Sequence, residues 1–389
     1  MENADRIKNL PPYLFAEIDK MISKAKEKGV DVISFGIGDP DQPTHQNIVN
    51  KMIEAVQRPS THSYPSYQGL FEYRKAIADW YRKKYQVELN PDQEVVSLIG
   101  SKEGIAHLPF CYINPGDKAL IPDPGYPVYK TSILLAGGEA VTVPLLADNN
   151  FLPNLDKIDP AIAREAKLFF VNYPNNPTGA VAGDEFYKEL IDFARQYQII
   201  IAHDSAYSEI GLDGYDPPSF MQYPGAKEVG IEFNSLSKPF NMTGWRIGWA
   251  VGNEDVIESL GRIKTNIDSG IFEAVQYAGI EALTNSTNNI QQVRSLYTRR
   301  RDLLVEGLQQ LGWTIKKNKA SFYLWAQVPE GFTSADFSKQ VFQQTGIFFT
   351  PGNGYGEEGE GYVRIALTVP ENRIIEALQR LKESDIVFS

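Results

Sequence analysis

The chain has 389 residues, which at roughly 150 per domain suggests two or three folded units and excludes one small module. Hydrophobic residues make up 42% and charged residues 22%, with 31 Gly and 24 Pro, a balance that excludes disorder and collagen-like structure. Lys plus Arg total 38 against 49 Asp plus Glu, and the formal charge of −11 repels phosphate backbones and anionic lipid. Neither nucleic acid nor a membrane is therefore an expected partner. Cys111 is the one cysteine, so no intrachain disulfide and no thiolate metal site is expected. The start, Met1-Glu2-Asn3-Ala4-Asp5, lacks the basic and apolar regions of a secretory signal, and no apolar run reaches about 18 residues. A reducing, cytoplasmic setting is the expectation.

From Asn47 to Val56, apolar Ile48, Val49, Met52, Ile53 and Val56 recur at helical spacing, and Leu70 to Tyr85 repeats the pattern with Ile77, Trp80 and Tyr81. After Pro91 the rhythm becomes short apolar runs: "EVVSLIG" (94–100), "KALIP" (118–122), "AVTVPL" (140–145), "KLFFVN" (167–172), "IIIAHD" (199–204), "GIEFNSLS" (230–237) and "GWAVG" (248–252). Crossover-length segments such as "DEFYKELIDFARQY" (184–197) separate several of them, which predicts an α/β class with a mostly parallel seven-stranded sheet covered on both faces. Beyond Asn285 the pattern changes to a long charged helix around Arg294–Leu311, then strands, a helix, two strands and a final helix at 371–382. The expected division is a large α/β domain over 45–285 and a smaller α+β domain from both chain ends, 1–44 and 286–389.

In open α/β sheets ligands gather beyond the carboxyl ends of the strands. The first run leads into Gly100-Ser101-Lys102-Glu103-Gly104 and an apolar helix, a junction whose free N–H groups suit a phosphate, although a serine-capped helix is the simpler reading of that stretch alone. "NYPNNPTG" (172–179) makes a tight turn that sets Asn176 at a strand mouth. Asp204 ends a strongly apolar strand, with Tyr207 three residues on, and a buried acid needs a partner. "SLSKPFNMTGWRIG" (235–248) holds Ser235, Lys238 and Arg246 between two strands. A lysine desolvated there has a lowered pKa and becomes a nucleophile able to condense with a carbonyl, while a nearby arginine suits a phosphate.

A phosphate cradle, a lysine nucleophile, a carboxylate, a phenol and an amide are the set needed to hold pyridoxal 5'-phosphate. On these residues the chain resembles the class I and II aminotransferases of fold type I, from "ISFGIGDPD" (33–41) to "YVRIALT" (362–368), most specifically in the two motifs at 172–179 and 235–248. The resemblance implies that Lys238 binds the cofactor covalently and moves the proton of the substrate α-carbon, with Asp204 on the pyridine nitrogen. It implies that Tyr207 and Asn176 reach the ring oxygen, that Tyr126 in "PDPGYPVY" (122–129) stacks on the ring, and that Ser101, Lys102, Ser235 and Arg246 hold the phosphate, Lys102 through its backbone. Arg364 lies in "YVRIALTV", where alternation alone puts it on the surface, whereas the resemblance makes it the fork for the substrate α-carboxylate, approached also by the backbone of Gly38. Tyr64 matches a tyrosine that reaches the neighbouring subunit's phosphate, which implies a homodimer with shared active sites.

The implied reaction passes an amino group from an α-amino acid to a 2-oxoacid by alternating pyridoxal and pyridoxamine phosphate. The wording around 64–81, 95–110 and 122–129 looks closest to bacterial sequences related to LL-diaminopimelate aminotransferase. One departure is Tyr67, where plant-type enzymes of that activity carry a glutamate facing the distal ammonium. Donors such as alanine, glutamate, and aromatic or sulfur amino acids therefore stay open, as does a β-lyase. A cofactor-sensing regulator is disfavoured by the charge and by the absence of room for a DNA-binding module. "GYGEEG" (354–359) fits a dinucleotide pattern but opens no helix, and its glutamates repel a pyrophosphate. His45, His62, His107 and His203 show no metal spacing, and no metal site is expected.

Overall fold

The seven apolar runs form one sheet because their side chains alternate between two buried faces. In this computed structural model, which describes residues 2–388, the strands lie in the spatial order Val95–Leu98, Gly248–Gly252, Gly230–Ser235, Ile200–Asp204, Ala166–Asn172, Lys118–Asp123, Glu139–Pro144. Met1 and Ser389, the end residues of the smaller unit expected from the sequence, lie outside the described residues. Gly248–Gly252 runs antiparallel to both of its neighbours, and the other adjacent pairs are parallel. Phe169, Val171 and Ile201 point to one face, under helices Phe71–Tyr85, Asp184–Tyr197 and Glu273–Asn285. Leu168, Phe170 and Ala202 point to the other, under Ser101–Tyr112, Val128–Ala136 and Glu254–Ile267. Each fully buried Leu, Ile or Phe in these layers contributes about 1.5–3 kcal/mol of transfer free energy. This packing holds the strand ends rigid, so that loops can carry chemistry.

The rest of the chain builds a second core. Helix Thr287–Gln310 leads into an antiparallel sheet ordered Thr350–Pro351, Tyr362–Ala366, Tyr323–Gln327, with helices Ser334–Thr345 and Glu371–Lys382 beside it. The N-terminal segment joins it: Ile33–Ser34 pairs in parallel with Ile347–Phe348, and Ile33 and Phe35 enter the same apolar cluster as Val341, Ile365 and Leu381. Three details depart from the sequence reading. The long helix begins at Thr287 and not near Arg294. The first of the two strands expected before the final helix, "IFFTPG" (347–352), splits into two short strands that belong to different sheets. Helices Asp5–Lys8 and Leu14–Glu27 precede the first predicted element; the second buries only a narrow stripe, including Ile18 and Ile22, which hides its periodicity. Among the described residues no helix is long and apolar enough to cross a membrane.

Candidate active site

At the carboxyl ends of the parallel strands lies a cavity of about 330 Å³. It collects Ser101 and Lys102 from one strand–helix junction, Tyr126 from a second, Asn176 from the "NYPNNPTG" turn, Asp204 and Tyr207 from a fourth, and Ser235, Lys238 and Arg246 from the last. Gly38 closes it from the N-terminal segment. Residues as far apart in sequence as Ser101 and Arg246 thus meet because parallel strands deliver their ends to one edge.

One corner is built for an anion. Gly100 caps the helix Ser101–Tyr112 at φ 76°, a conformation that favours glycine, and a Cβ there would fall 2.4 Å from the Arg246 guanidinium, so the missing side chain leaves Arg246 its place beside the helix N-terminus. Arg246 is steadied by its Nη1–H, which donates to the Thr243 carbonyl at 2.8 Å. Ser235 Oγ donates to Ser237 Oγ at 2.8 Å, which adds a second hydroxyl that the sequence reading did not single out. Removing the guanidinium by Arg246→Ala is expected to raise the dissociation constant for pyridoxal phosphate roughly 10–100-fold, the loss of a charged hydrogen bond, with donor preference unchanged. Fluorescence titration of the apo protein reads this directly.

Lys238 Nζ donates to the Gly38 carbonyl at 2.7 Å. Burial, aided by the fields of Arg364 and Arg246 and opposed by Asp39, pushes its pKa down to about 8, so a usable fraction of neutral amine exists near neutral pH. Asp204 is buried and its pKa is raised, first by burial, against the hydrogen bond from Tyr129. Tyr129 O–H donates to Asp204 Oδ2 at 2.8 Å, whereas Oδ1 is buried with no hydrogen-bond partner among the described residues. An orphaned buried carboxylate oxygen at a cavity wall calls for a cationic N–H donor, which a protonated pyridine supplies. The donor set at the other corner likewise suits a phosphate, so the residues fit pyridoxal phosphate.

Asn172 ties the remaining pieces together. Its amide donates to the Asp204 carbonyl at 2.7 Å and its Oδ1 accepts from the Asn176 N–H at 2.7 Å, while Asn175 Oδ1 accepts from the Thr178 N–H and hydroxyl at 2.9 and 2.8 Å. The turn so ordered presents Asn176 Oδ1 to Arg364 Nη1 at 2.8 Å. Arg364 departs from the surface position that alternation gives it: it is 0% exposed, because its strand is the central one of three and Asn176, the Gly36 carbonyl and the Tyr323 and Tyr355 rings cover its guanidinium, beside the cavity-lining Asn176 and Tyr323. Its Nη2–H donates to the Gly36 carbonyl at 2.6 Å, and its guanidinium lies 4.2 Å from the centre of the Tyr323 ring.

The Lys102 side chain lines the cavity, its Nζ donating to Tyr13 Oη at 3.2 Å. Tyr64 and Tyr67 are not brought into this cavity; they stand on the surface at 89% and 50% exposure. The glycine at 38 makes room for a side chain as well as a ligand, since a Cβ there would sit 1.9 Å from the Tyr323 hydroxyl. His203 is a core residue, its Nε2 3.1 Å from the Tyr187 hydroxyl. His107 approaches Glu103 and Asp268 with ligand atoms within 4.8 Å, but the Lys264 ammonium already bonds both acids, at 3.3 and 2.9 Å. "GYGEEG" forms two 3₁₀ turns whose Glu357 and Glu358 N–H groups donate to the Asp123 carboxylate at 3.3 and 3.2 Å.

A parallel sheet with a lysine, an unsatisfied carboxylate and an anion corner at its carboxyl edge defines a pyridoxal-phosphate enzyme of fold type I. The family model for aminotransferase class I and II matches residues 30–381, and the chain belongs to that family. It is 77% identical, over all of both chains, to the LL-diaminopimelate aminotransferase of Halothermothrix orenii, and 59% identical to that of Moorella thermoacetica over 98% of each. Substrate-bound BacF from Bacillus subtilis superposes with a TM-score of 0.97 at 36% identity, covering 100% of this chain and 99% of that one. The protein is a pyridoxal-phosphate-dependent aminotransferase, moving an amino group from an α-amino acid to a 2-oxoacid.

Proposed function

We propose that the amino donor is LL-diaminopimelate and the acceptor 2-oxoglutarate. The observation that carries this reading is a third cation at the cavity, beside Lys238 and Arg246: Lys102, held by the Tyr13 hydroxyl and by contact with its ring and, among the described residues, by no carboxylate, suits the distal carboxylate that both molecules possess. The names of the relatives at 77% and 59% identity support it. The bound cofactor supplies an electron sink for the charge left when the α-proton departs. Lys238 takes that proton at the α-carbon, Asp204 holds the pyridine nitrogen protonated, Tyr207 and Asn176 donate at the ring oxygen, and Tyr126 covers the ring. Ser101, Ser235 and Arg246 hold the phosphate, and Arg364 orients the α-carboxylate beside Gly38.

The exposed Tyr64 and Tyr67 support a homodimer in which each subunit's loop completes the other's site, Tyr67 facing the donor's distal end. The two apolar cores support the division into 45–285 and the paired ends 1–44 and 286–389. A cytoplasmic setting accords with the single cysteine. Arg364→Lys is expected to raise KM for every α-amino donor by about the same factor, roughly 10–100-fold, because a fork is replaced by a point charge. Steady-state comparison of the donors reads it, and an effect confined to one donor contradicts the role. The substrate reading is tested by kcat/KM for LL-diaminopimelate against glutamate, alanine, aspartate and an aromatic donor; an advantage of less than tenfold over the best of these would sink it.

A further inference from the structure

Tyr323 stands where the proposed cofactor and substrate contacts meet. It is 3% exposed and lines the cavity, and it belongs to the strand Tyr323–Gln327 paired with that of Arg364. Its hydroxyl lies 3.1 Å from the Tyr207 hydroxyl, and among the described residues this is the one hydrogen bond either hydroxyl makes. Its ring carries the Arg364 guanidinium at 4.2 Å, and its hydroxyl packs into the space left by Gly38, whose carbonyl accepts from Lys238. Each phenol has one proton. If Tyr207 gives its proton to the cofactor ring oxygen, Tyr207 Oη can only accept from Tyr323, which orders the pair in one direction.

We propose that Tyr323 is a positioning residue for amino transfer: its hydroxyl donates to Tyr207 so that the Tyr207 proton is aimed at the cofactor, and its ring holds Arg364 in place for the substrate carboxylate. The inference rests on the roles of Tyr207 and Arg364 proposed above. A donor at the ring oxygen stabilises the negative charge that this oxygen bears once the lysine–cofactor nitrogen has lost its proton, so weakening the donor raises the pH midpoint of the bound cofactor's colour change. Because donation to Tyr207 strengthens its own donation by some 10–30% in a chain of hydrogen bonds, the hydroxyl and the ring of Tyr323 have separable effects.

The experiment uses the holoenzyme and its Tyr207→Phe, Tyr323→Phe and Tyr323→Leu variants, with absorbance titrated against pH in the absence of amino acid and KM measured for several donors. Tyr207→Phe is expected to raise the midpoint by about 1–2 pH units, the weight of a hydrogen bond to a charged oxygen. Tyr323→Phe should raise it in the same direction by roughly 0.2–0.5 units, with KM within about twofold of the parent. Tyr323→Leu should also raise KM for all donors alike, about 3–30-fold, from the lost contact with Arg364. A midpoint that stays put or falls in Tyr323→Phe, while Tyr207→Phe raises it, overturns the positioning role and leaves Tyr207 assigned. A midpoint unmoved in Tyr207→Phe removes that assignment itself and the proposal with it. A KM rise in Tyr323→Leu confined to one donor overturns the contact with Arg364.

Discussion

Replacing Lys238 by alanine is expected to lower turnover with every donor by at least 10²–10⁴-fold, the usual weight of positioned proton transfer alone, while the far-ultraviolet spectrum and unfolding cooperativity persist. The side chain makes one hydrogen bond, to the Gly38 carbonyl, which the N-terminal segment can redirect to water. Its burial depresses its pKa to about 8, below that of an unfolded lysine, so the unfolded state binds more protons between those values. The lysine therefore costs the apo protein stability that is regained as pH rises from about 8 towards the unfolded value. Alanine abolishes that dependence, so the stability difference between variant and parent should shrink in the variant's disfavour as pH rises. Turnover retained in this variant would remove the assignment of Lys238.

Asp204→Asn carries the second large effect, about 10²–10³-fold in kcat, because an amide does not hold a pyridine nitrogen protonated as a carboxylate does. The apo protein should respond in the opposite sense. Burial raises the folded pKa of Asp204, so the stability it contributes is fully present below the unfolded pKa and is lost as pH rises through the folded one. The asparagine variant lacks this loss, and near neutral pH its apo form should melt no lower than the parent. Thermal denaturation with and without pyridoxal phosphate checks both halves: the cofactor should stabilise the parent by a larger margin than the variant. Equal margins would contradict the pairing of Asp204 with the cofactor.

How far the sequence discloses such a site depends on what each residue leans upon. Asp204, Asn176 and Lys238 are legible because they follow apolar strands directly, and a parallel sheet sends every such end to the same edge. Arg364 defeats alternation: period two tells which side of a strand a residue occupies, and only the tertiary fold tells that this side is covered by Asn176, Gly36 and Tyr323. Tyr129 and Tyr323 lie inside ordinary aromatic core patterns, and their hydroxyls acquire meaning only through Asp204 and Tyr207, which are 75 and 116 residues distant. The Tyr13 contact with Lys102 joins residues 89 apart through a helix whose narrow apolar stripe left it unpredicted. Tyr64 and Tyr67 have no partner within this cavity, so their roles rest on assembly, which neither periodicity nor one chain's packing encodes.

The measurement that bears most directly on the central claim is the visible absorption spectrum of the protein reconstituted with pyridoxal phosphate, recorded on adding LL-diaminopimelate with no acceptor present. The account predicts that the band of the lysine-bound cofactor disappears and that of pyridoxamine phosphate rises in its place, and that 2-oxoglutarate then restores the first. A lysine-bound band that survives LL-diaminopimelate but is converted by another donor would contradict the substrate reading, and failure of the band to form at all would contradict the role of Lys238.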